Sequence, residues 1–294
     1  MAESEIFVLV MSVAVAALGM MIHGASGLHP LYFRGNPAPG VARASILLAM
    51  AWIWYVLLFH ADPSVTAVYV FFYLVMGYAV VKMFGQTVPL LFGLRFRVDL
   101  VERRNVPAGV LLGAFILATG LIFGGSLWGD ADPVGDDEGG WWIPLSFFLL
   151  GWGCLVVAFW LFLRRERGRF LRRVKQERSM DDARAGALFL AAAAVTLTDA
   201  VSGDFWGWQH GLTTFGVLAG LLLTQEFFRS RIQGTGGGGG VALAGGGARG
   251  GVGMDGVGAG RPGGLRRMEG AVYAALALGA WGLNRFLDLA LRAG

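Results

Sequence analysis

Few side chains in this sequence of 294 residues could do chemistry, and the best placed are Asp199 and its neighbours Thr196 and Thr198. They fall toward the outer third of an apolar stretch. An ionisable group in hydrocarbon costs ~2.5–3.5 kcal/mol on insertion scales, so it is expected to face protein or a water path. That is the chemistry of passing an ion or proton, not of making bonds. A second group sits where apolar stretches begin: Asn36, Asn105 and Asp182 each stand four residues before a glycine, at Gly40, Gly109 and Gly186. Asn and Asp cap the orphan N–H groups of a first helical turn, and Pro is tolerated there. Several such starts at one depth would form a ring of partial positive charge suited to phosphate or a lipid headgroup. Arg285 and Asp288, three apart beside Asn284, read as a pair that neutralises itself.

Familiar catalytic constellations are missing. There is no Ser/His/Asp order, no HExxH and no P-loop, and the only lysines, Lys82 and Lys175, leave the seventh stretch without a Schiff-base candidate. Gly251-Val-Gly253-Met-Asp-Gly256 matches the dinucleotide fingerprint by its letters, but no βαβ context surrounds it. His23 and His29 are expected on one side of the membrane and His60 and His210 on the other, too few on each for a metal site. The loop from Asp130 to Glu138 lacks the ordered spacing of a calcium loop. Cys154 has no partner and reads as a packing residue. The expectation is a protein that is not an enzyme and carries no cofactor and no metal.

The elements that must position these residues follow from charge. Of the 24 Lys and Arg, 22 fall in four segments, Arg34–Arg43, Lys82–Arg104, Arg164–Arg184 and Arg229–Arg267, which alternate with eight apolar stretches. Charged residues make up only 15% of the chain and hydrophobic ones 55%, whereas about 25% charged is usual for soluble domains. The stretches approach the ~20 residues that cross ~30 Å of hydrocarbon. The fold class expected is all-α and polytopic: eight transmembrane helices at roughly 5–24, 42–60, 65–84, 107–127, 142–163, 184–202, 211–228 and 270–290, with boundaries good to a few residues. The start, Met-Ala-Glu-Ser-Glu, lacks a basic n-region, so the first stretch is read as a span. Basic loops stay in the cytoplasm, which puts both termini outside it and the acidic loops with Asp62, Asp130–Glu138 and Asp204 on the far side. Trp128, Trp141, Trp142, Trp206 and Trp208 mark the outer ends of spans. Basic loops also suit anionic lipid headgroups, so membrane lipids are the expected partners, with a homo-oligomer possible and nucleic acid excluded.

The helix starts recur at spacings of 69 and 77 residues, with an eroded fourth copy near Arg261-Pro262-Gly263-Gly264. Each unit is a span in, a basic loop and a span out, giving four tandem helical hairpins over 1–62, 63–130, 140–208 and from 209 onward. Residues 1–233 form the membrane domain, 234–264 a Gly-rich flexible linker and 265–294 the eighth span. Outgoing helices carry small residues at packing intervals: Gly109/Gly113 and Gly120/Gly124 in the fourth span, Gly216/Gly220 in the seventh. In lipid, close backbone approach supplies the attraction between helices.

The stretch 99–208 resembles the domain of unknown function 350 family of bacterial inner-membrane proteins. The resemblance is carried by Val101-Glu102-Arg103-Arg104-Asn105, Asn105-Val-Pro-Ala-Gly109, Ser126-Leu-Trp-Gly129, Asp182-Ala-Arg-Ala-Gly186 and Phe205-Trp-Gly-Trp208. It implies an inner-membrane repeat protein with no established biochemical role. Asp182 in place of Asn, and the eroded fourth copy, depart from the pattern. The reading that follows first is an ion or small-solute transporter or channel, motivated by the repeats and Asp199. The alternative is a non-catalytic membrane scaffold or lipid-binding partner, motivated by the small-residue faces and the nine basic residues from Arg164 to Arg184.

Overall fold

The computed structural model describes residues 3–23, 35–63, 65, 67–129, 140–166 and 169–202, with isolated positions 216, 219, 220, 223, 224, 227, 275, 278, 279 and 282. The regular elements named among them are all helical: α1 (Glu3–His23), α2 (Ala38–Phe59), α3 (Ala67–Val80), α4 (Val106–Gly125), α5 (Trp142–Arg165), α6 (Arg169–Lys175) and α7 (Met180–Val201). α3 continues as a π-helix over Val81–Thr87 and a 3₁₀ stretch over Val88–Phe92, and a separate π-helix covers Phe96–Glu102. Five helices, Ala38–Phe59, Ala67–Phe92, Val106–Gly125, Trp142–Arg164 and Met180–Val201, are long and apolar enough to cross a membrane. They recover the expected second to sixth spans. The apolar part of α1, Ile6–Gly19, is shorter. The chain is thus an all-helical, multi-pass membrane protein. Apart from isolated helical positions, the seventh and eighth spans lie outside the described residues, as do the linker 234–264, the fourth helix start, the acidic loop 130–138 and the Arg285/Asp288 pair.

The exterior is apolar, as lipid requires. Leu47, Leu48, Trp54, Leu58 and Phe59 on α2, Phe71 on α3 and Trp160 on α5 are all exposed. The interior is built on α4, whose sequence is hydrophobic all round and which is accordingly buried on most of its circumference. α4 lies between α2 and α7 and touches both along most of its length. Its glycines explain how close α2 comes. A Cβ on Gly109 would stand 2.8 Å from the Ala38 carbonyl oxygen, one on Gly113 would stand 2.6 Å from Ser45 Oγ, and those on Gly120 and Gly124 would overlap Ala49 and Trp52. The expected small-residue face of the fourth span is therefore a helix-packing face. Gly125 plays the same part against Thr198 of α7, and Gly186, on α7, does so against Phe170 of α6 and Leu111 of α4. At Gly216 and Gly220 an added Cβ would meet none of the described residues within 4 Å.

On the basic side a run of rings joins the elements. Phe92 meets Phe159 at 5.1 Å between centroids, Phe159 meets Phe115 and Phe162, and Phe162 meets Phe170 at 5.1 Å and Phe189 at 4.7 Å. On the opposite side Trp128 stacks on His60 at 3.7 Å and tilts against Trp52 at 5.9 Å, while His60 Nε2 lies 3.0 Å from Tyr55 Oη. Two sequence expectations need correcting. The third span extends to Phe92 instead of ending near 84, so Lys82 lies well inside the span and not at its inner end, where the basic segment was expected to begin. The basic segments are also partly helical, at Phe96–Glu102 and Arg169–Lys175, because each short helix lays an apolar face, with Phe96 and Leu100 or Phe170 and Val174, under the bundle.

Candidate functional site

Three groups of polar residues occupy three depths. The first lies where helices begin on the basic side. Asn105 is 0% exposed. Its Oδ1 accepts from the Ala108 N–H at 3.1 Å, capping α4, while its Nδ2 donates to the Val174 and Lys175 carbonyls, both at 3.0 Å. Those carbonyls are the orphan acceptors at the C-terminus of α6. Asn36 repeats the arrangement. Its Oδ1 accepts from Ala38 N–H at 3.3 Å, and its Nδ2 donates to the carbonyls of Leu100 at 3.0 Å and Val101 at 3.4 Å, at the end of the Phe96–Glu102 helix. Each Asn thus accepts from an N–H in the first turn of the helix it precedes, Asn105 as the N-cap of α4 and Asn36 one residue before the N-cap of α2, and each closes the C-terminus of the short helix 64–70 residues ahead.

The backbone leading into these starts repeats too. Gly35, Arg104 and Arg178 have φ of 95°, 49° and 51°, each directly before Asn36, Asn105 and Ser179 respectively. The Asn105 N–H donates to the Asp99 carbonyl at 3.0 Å and the Ser179 N–H to the Arg173 carbonyl at 3.1 Å. This is a Schellman-type closure, six residues back, with a left-handed residue between. The two closures are 74 residues apart, so Ser179 and not Asp182 is the structural counterpart of Asn105. Ser179 Oγ accepts from the Asp182 N–H at 3.3 Å. Asp182, 3% exposed, lies within the first turn of α7, where its charge suits the helix dipole. Arg173 holds it at 3.2 Å and Glu166 at 2.7 Å. Burial alone would lower the pKa of Arg173, but the bonds from Glu166 and Asp182 outweigh it and hold the guanidinium above its ordinary value.

A buried carboxylate that the sequence reading passed over stands beside them. Asp99 is 0% exposed. Its Oδ2 accepts from the Arg95 N–H at 2.8 Å and lies 3.5 Å from Lys175 Nζ, while Arg103 approaches Oδ1 at 3.4 Å. Lys175 Nζ also donates to the Gly93 carbonyl. The signal was available as an acidic residue four before Arg103 inside a basic run. With Asn36, Asn105 and Asp182 all buried in protein contacts, these helix starts act here as links between one loop and the next. No open anion or headgroup site is formed by their side chains.

The second group lies deeper. Gly85 rests on α4, where an added Cβ would stand 3.2 Å from the Ile116 Cα and 3.6 Å from the Thr119 Cβ. Ile116 is ten residues into α4, about 15 Å at 1.5 Å per residue and so near the middle of ~30 Å of hydrocarbon. At this level α3 is a π-helix, a geometry frequent at functional sites. Gln86 is 2% exposed, with Oε1 lacking a hydrogen-bond partner among the described residues. Lys82, one turn earlier, is half-buried, with Cβ against Gly19 and Nζ 5.7 Å from the Tyr78 ring centroid. The half-buried guanidinium of Arg43, on α2, acts electrostatically on it. No carboxylate pairs with Lys82 among the described residues.

The third group is the Asp199 site. Thr196 donates to the Ala192 carbonyl at 3.0 Å, a bond within its own helix, and the Thr198 methyl packs at Gly125. Asp199 is half-buried, two residues before the end of α7, and its carbonyl accepts from Ser202 Oγ at 3.1 Å. Thr196 and Asp199, three residues apart, share a face of α7, whereas Thr198 lies on another and packs on α4, and Asp199 belongs to the last turn of the helix.

A family model described as Domain of Unknown Function (DUF350) matches residues 4–127 and again 64–203. The matches share the stretch containing α3 and α4, so the same pattern fits the chain in two registers. No curated protein and no solved structure matches it.

Proposed function

We infer the function of this chain from the premise that it belongs to the Domain of Unknown Function (DUF350) family, and we propose that it is an ion or small-solute transporter or channel. On this reading it does no covalent chemistry, lies in the bacterial inner membrane with both termini extracytoplasmic, and assembles as a homo-oligomer that shares the polar lining. The observation that carries the proposal is Lys82 on the π-helical middle of a span, one turn from buried Gln86. A cation at that depth costs ~2.5–3.5 kcal/mol. A scaffold would gain nothing from that expense, whereas a conducting path needs polar groups at mid-depth. Asp199, in the last turn of α7, is then suited to the outer mouth of such a path and not to its centre.

Flux of ions and protons into proteoliposomes tests this, with wild type beside Lys82→Met and Asp199→Asn. The expected result is flux above empty liposomes that Lys82→Met abolishes and Asp199→Asn alters. No flux under any gradient or voltage would favour the second reading, a lipid-binding scaffold. One observation supports that alternative: a groove of about 480 Å³ between α4 and α7, lined by Ala114, Ala118, Ala187 and Ala191 with Arg184 at its basic end. Its shape suits an acyl chain below an anionic headgroup.

A further inference from the structure

Among the described residues, one face of the row α2, α4, α7 is left open. The half-buried stripe of α4, at Val110, Ala114, Leu117 and Leu121, lines a groove of about 480 Å³ together with α7. Leu121 is eleven residues beyond Val110 on one helix, ~16 Å at 1.5 Å per residue and close to half of ~30 Å of hydrocarbon. The groove therefore runs the depth of one leaflet, and it begins on the basic side, in the second turns of α4 and α7.

Arg184 marks that basic end. The closures before α4 and α7 are 74 residues apart, which sets Arg184 where α4 has Val110 and Ala187 where α4 has Gly113. Gly113 lets α2 close in with Ser45, whereas Ala187 lines the groove. Arg184 is exposed, lies four residues inside the span Met180–Val201, and pairs with no carboxylate among the described residues. The preceding repeat packs with a valine at this position, so the guanidinium is not there for helix packing; its charge asks for an anion at the headgroup end of an apolar slot. A second copy would answer the apolar face and not the charge, because a two-fold contact through it would set two Arg184 side chains at one depth.

We propose that the groove holds one acyl chain of an anionic phospholipid from the leaflet on the basic side, with the headgroup phosphate paired to Arg184. The planar guanidinium matches a phosphate with two parallel bonds. A zwitterionic lipid offers the same chain and phosphate, but its own ammonium competes for that phosphate. This assignment names the partner of the lipid-binding reading and rests on it, and it is measured apart from flux.

The test is native mass spectrometry of the delipidated full chain in detergent, titrated with phosphatidylglycerol or phosphatidylethanolamine carrying the same acyl chains. One phosphatidylglycerol per chain is expected to bind, more tightly than phosphatidylethanolamine by about fivefold, as one basic residue facing an anionic headgroup implies. Arg184→Ala is expected to erase the preference and Arg184→Lys to keep it, while Arg169→Ala, which removes an exposed cation outside the groove, leaves it unchanged. Ala187→Phe fills the groove and is expected to remove the bound lipid, and Ala187→Ser, which leaves the groove open, to retain it. Equal affinity for the two lipids in wild type, or an unchanged preference in Arg184→Ala, would overturn the assignment. A preference that survives both Arg184→Ala and Ala187→Phe would keep the lipid-binding reading and sink the groove; no lipid bound by wild type would sink both. Lipid-free dimers that Ala187→Phe dissociates would give the groove to a second copy and overturn the assignment as well.

Discussion

Replacing Asn105 isolates what holds one loop to the next. The side chain makes three bonds from a fully buried position, one accepted from Ala108 N–H and two donated to the Val174 and Lys175 carbonyls. In Asn105→Ala the lost cap costs about 1 kcal/mol. Each carbonyl left without a donor adds about 1–2 kcal/mol, for a total of about 3–5 kcal/mol, a large share of the 5–15 kcal/mol typical of a folded domain. Asn105→Asp divides this total. The carboxylate keeps the cap, and the helix dipole favours it, but it turns two donated bonds into contacts between acceptors. If the links matter as the geometry implies, Asp is no better than Ala. Equilibrium unfolding in mixed micelles, followed by helical circular dichroism, reads both variants against wild type. The comparison with Ser179→Ala, which removes a cap without such links and is expected to cost about 1 kcal/mol, calibrates the scale. An Asn105→Asp variant as stable as wild type would refute the reasoning, because the donated bonds would then contribute nothing.

Three further outcomes are checked by the same unfolding measurement. Arg104→Gly relieves a left-handed φ of 49° and is expected to stabilise by about 0.5–1 kcal/mol; Arg178→Gly gains less, because Arg178 also donates to the Arg103 carbonyl at 2.9 Å. Gly120→Ala forces a methyl into Ala49 and is expected to cost about 1–3 kcal/mol, whereas Gly153→Ala, which meets nothing within 4 Å, is expected to be neutral or slightly stabilising. Arg173→Met leaves the buried Asp182 carboxylate without its cation and is expected to cost about 3–5 kcal/mol, against less than about 0.5 kcal/mol for Arg172→Met, whose pair with Glu177 is mostly exposed.

The sequence by itself determined the membrane class and placed five spans to within a few residues, save at the inner end of the third and at the starts of α2 and α7, which each come four residues earlier than expected. It could do so because hydrophobicity and charge exclusion act locally, residue by residue, against a slab of fixed thickness. Asn105 before Val-Pro-Ala was legible as a cap for the same reason, since capping involves only neighbours in the chain. What Asn105 does with its other end was not legible, because its partners lie 69 and 70 residues away. The register of the third repeat was misread at Asp182. The usual marker of a helix closure is a left-handed glycine, and here that position holds Arg104 and Arg178, so the letters gave no sign of it. Lys82 was expected at the inner end of its span because apolar runs do not show where a span bends into a π-helix and continues. Tertiary packing on α4 decided that, by holding Gly85 against Ile116 and carrying a lysine and a buried amide to the middle of the membrane.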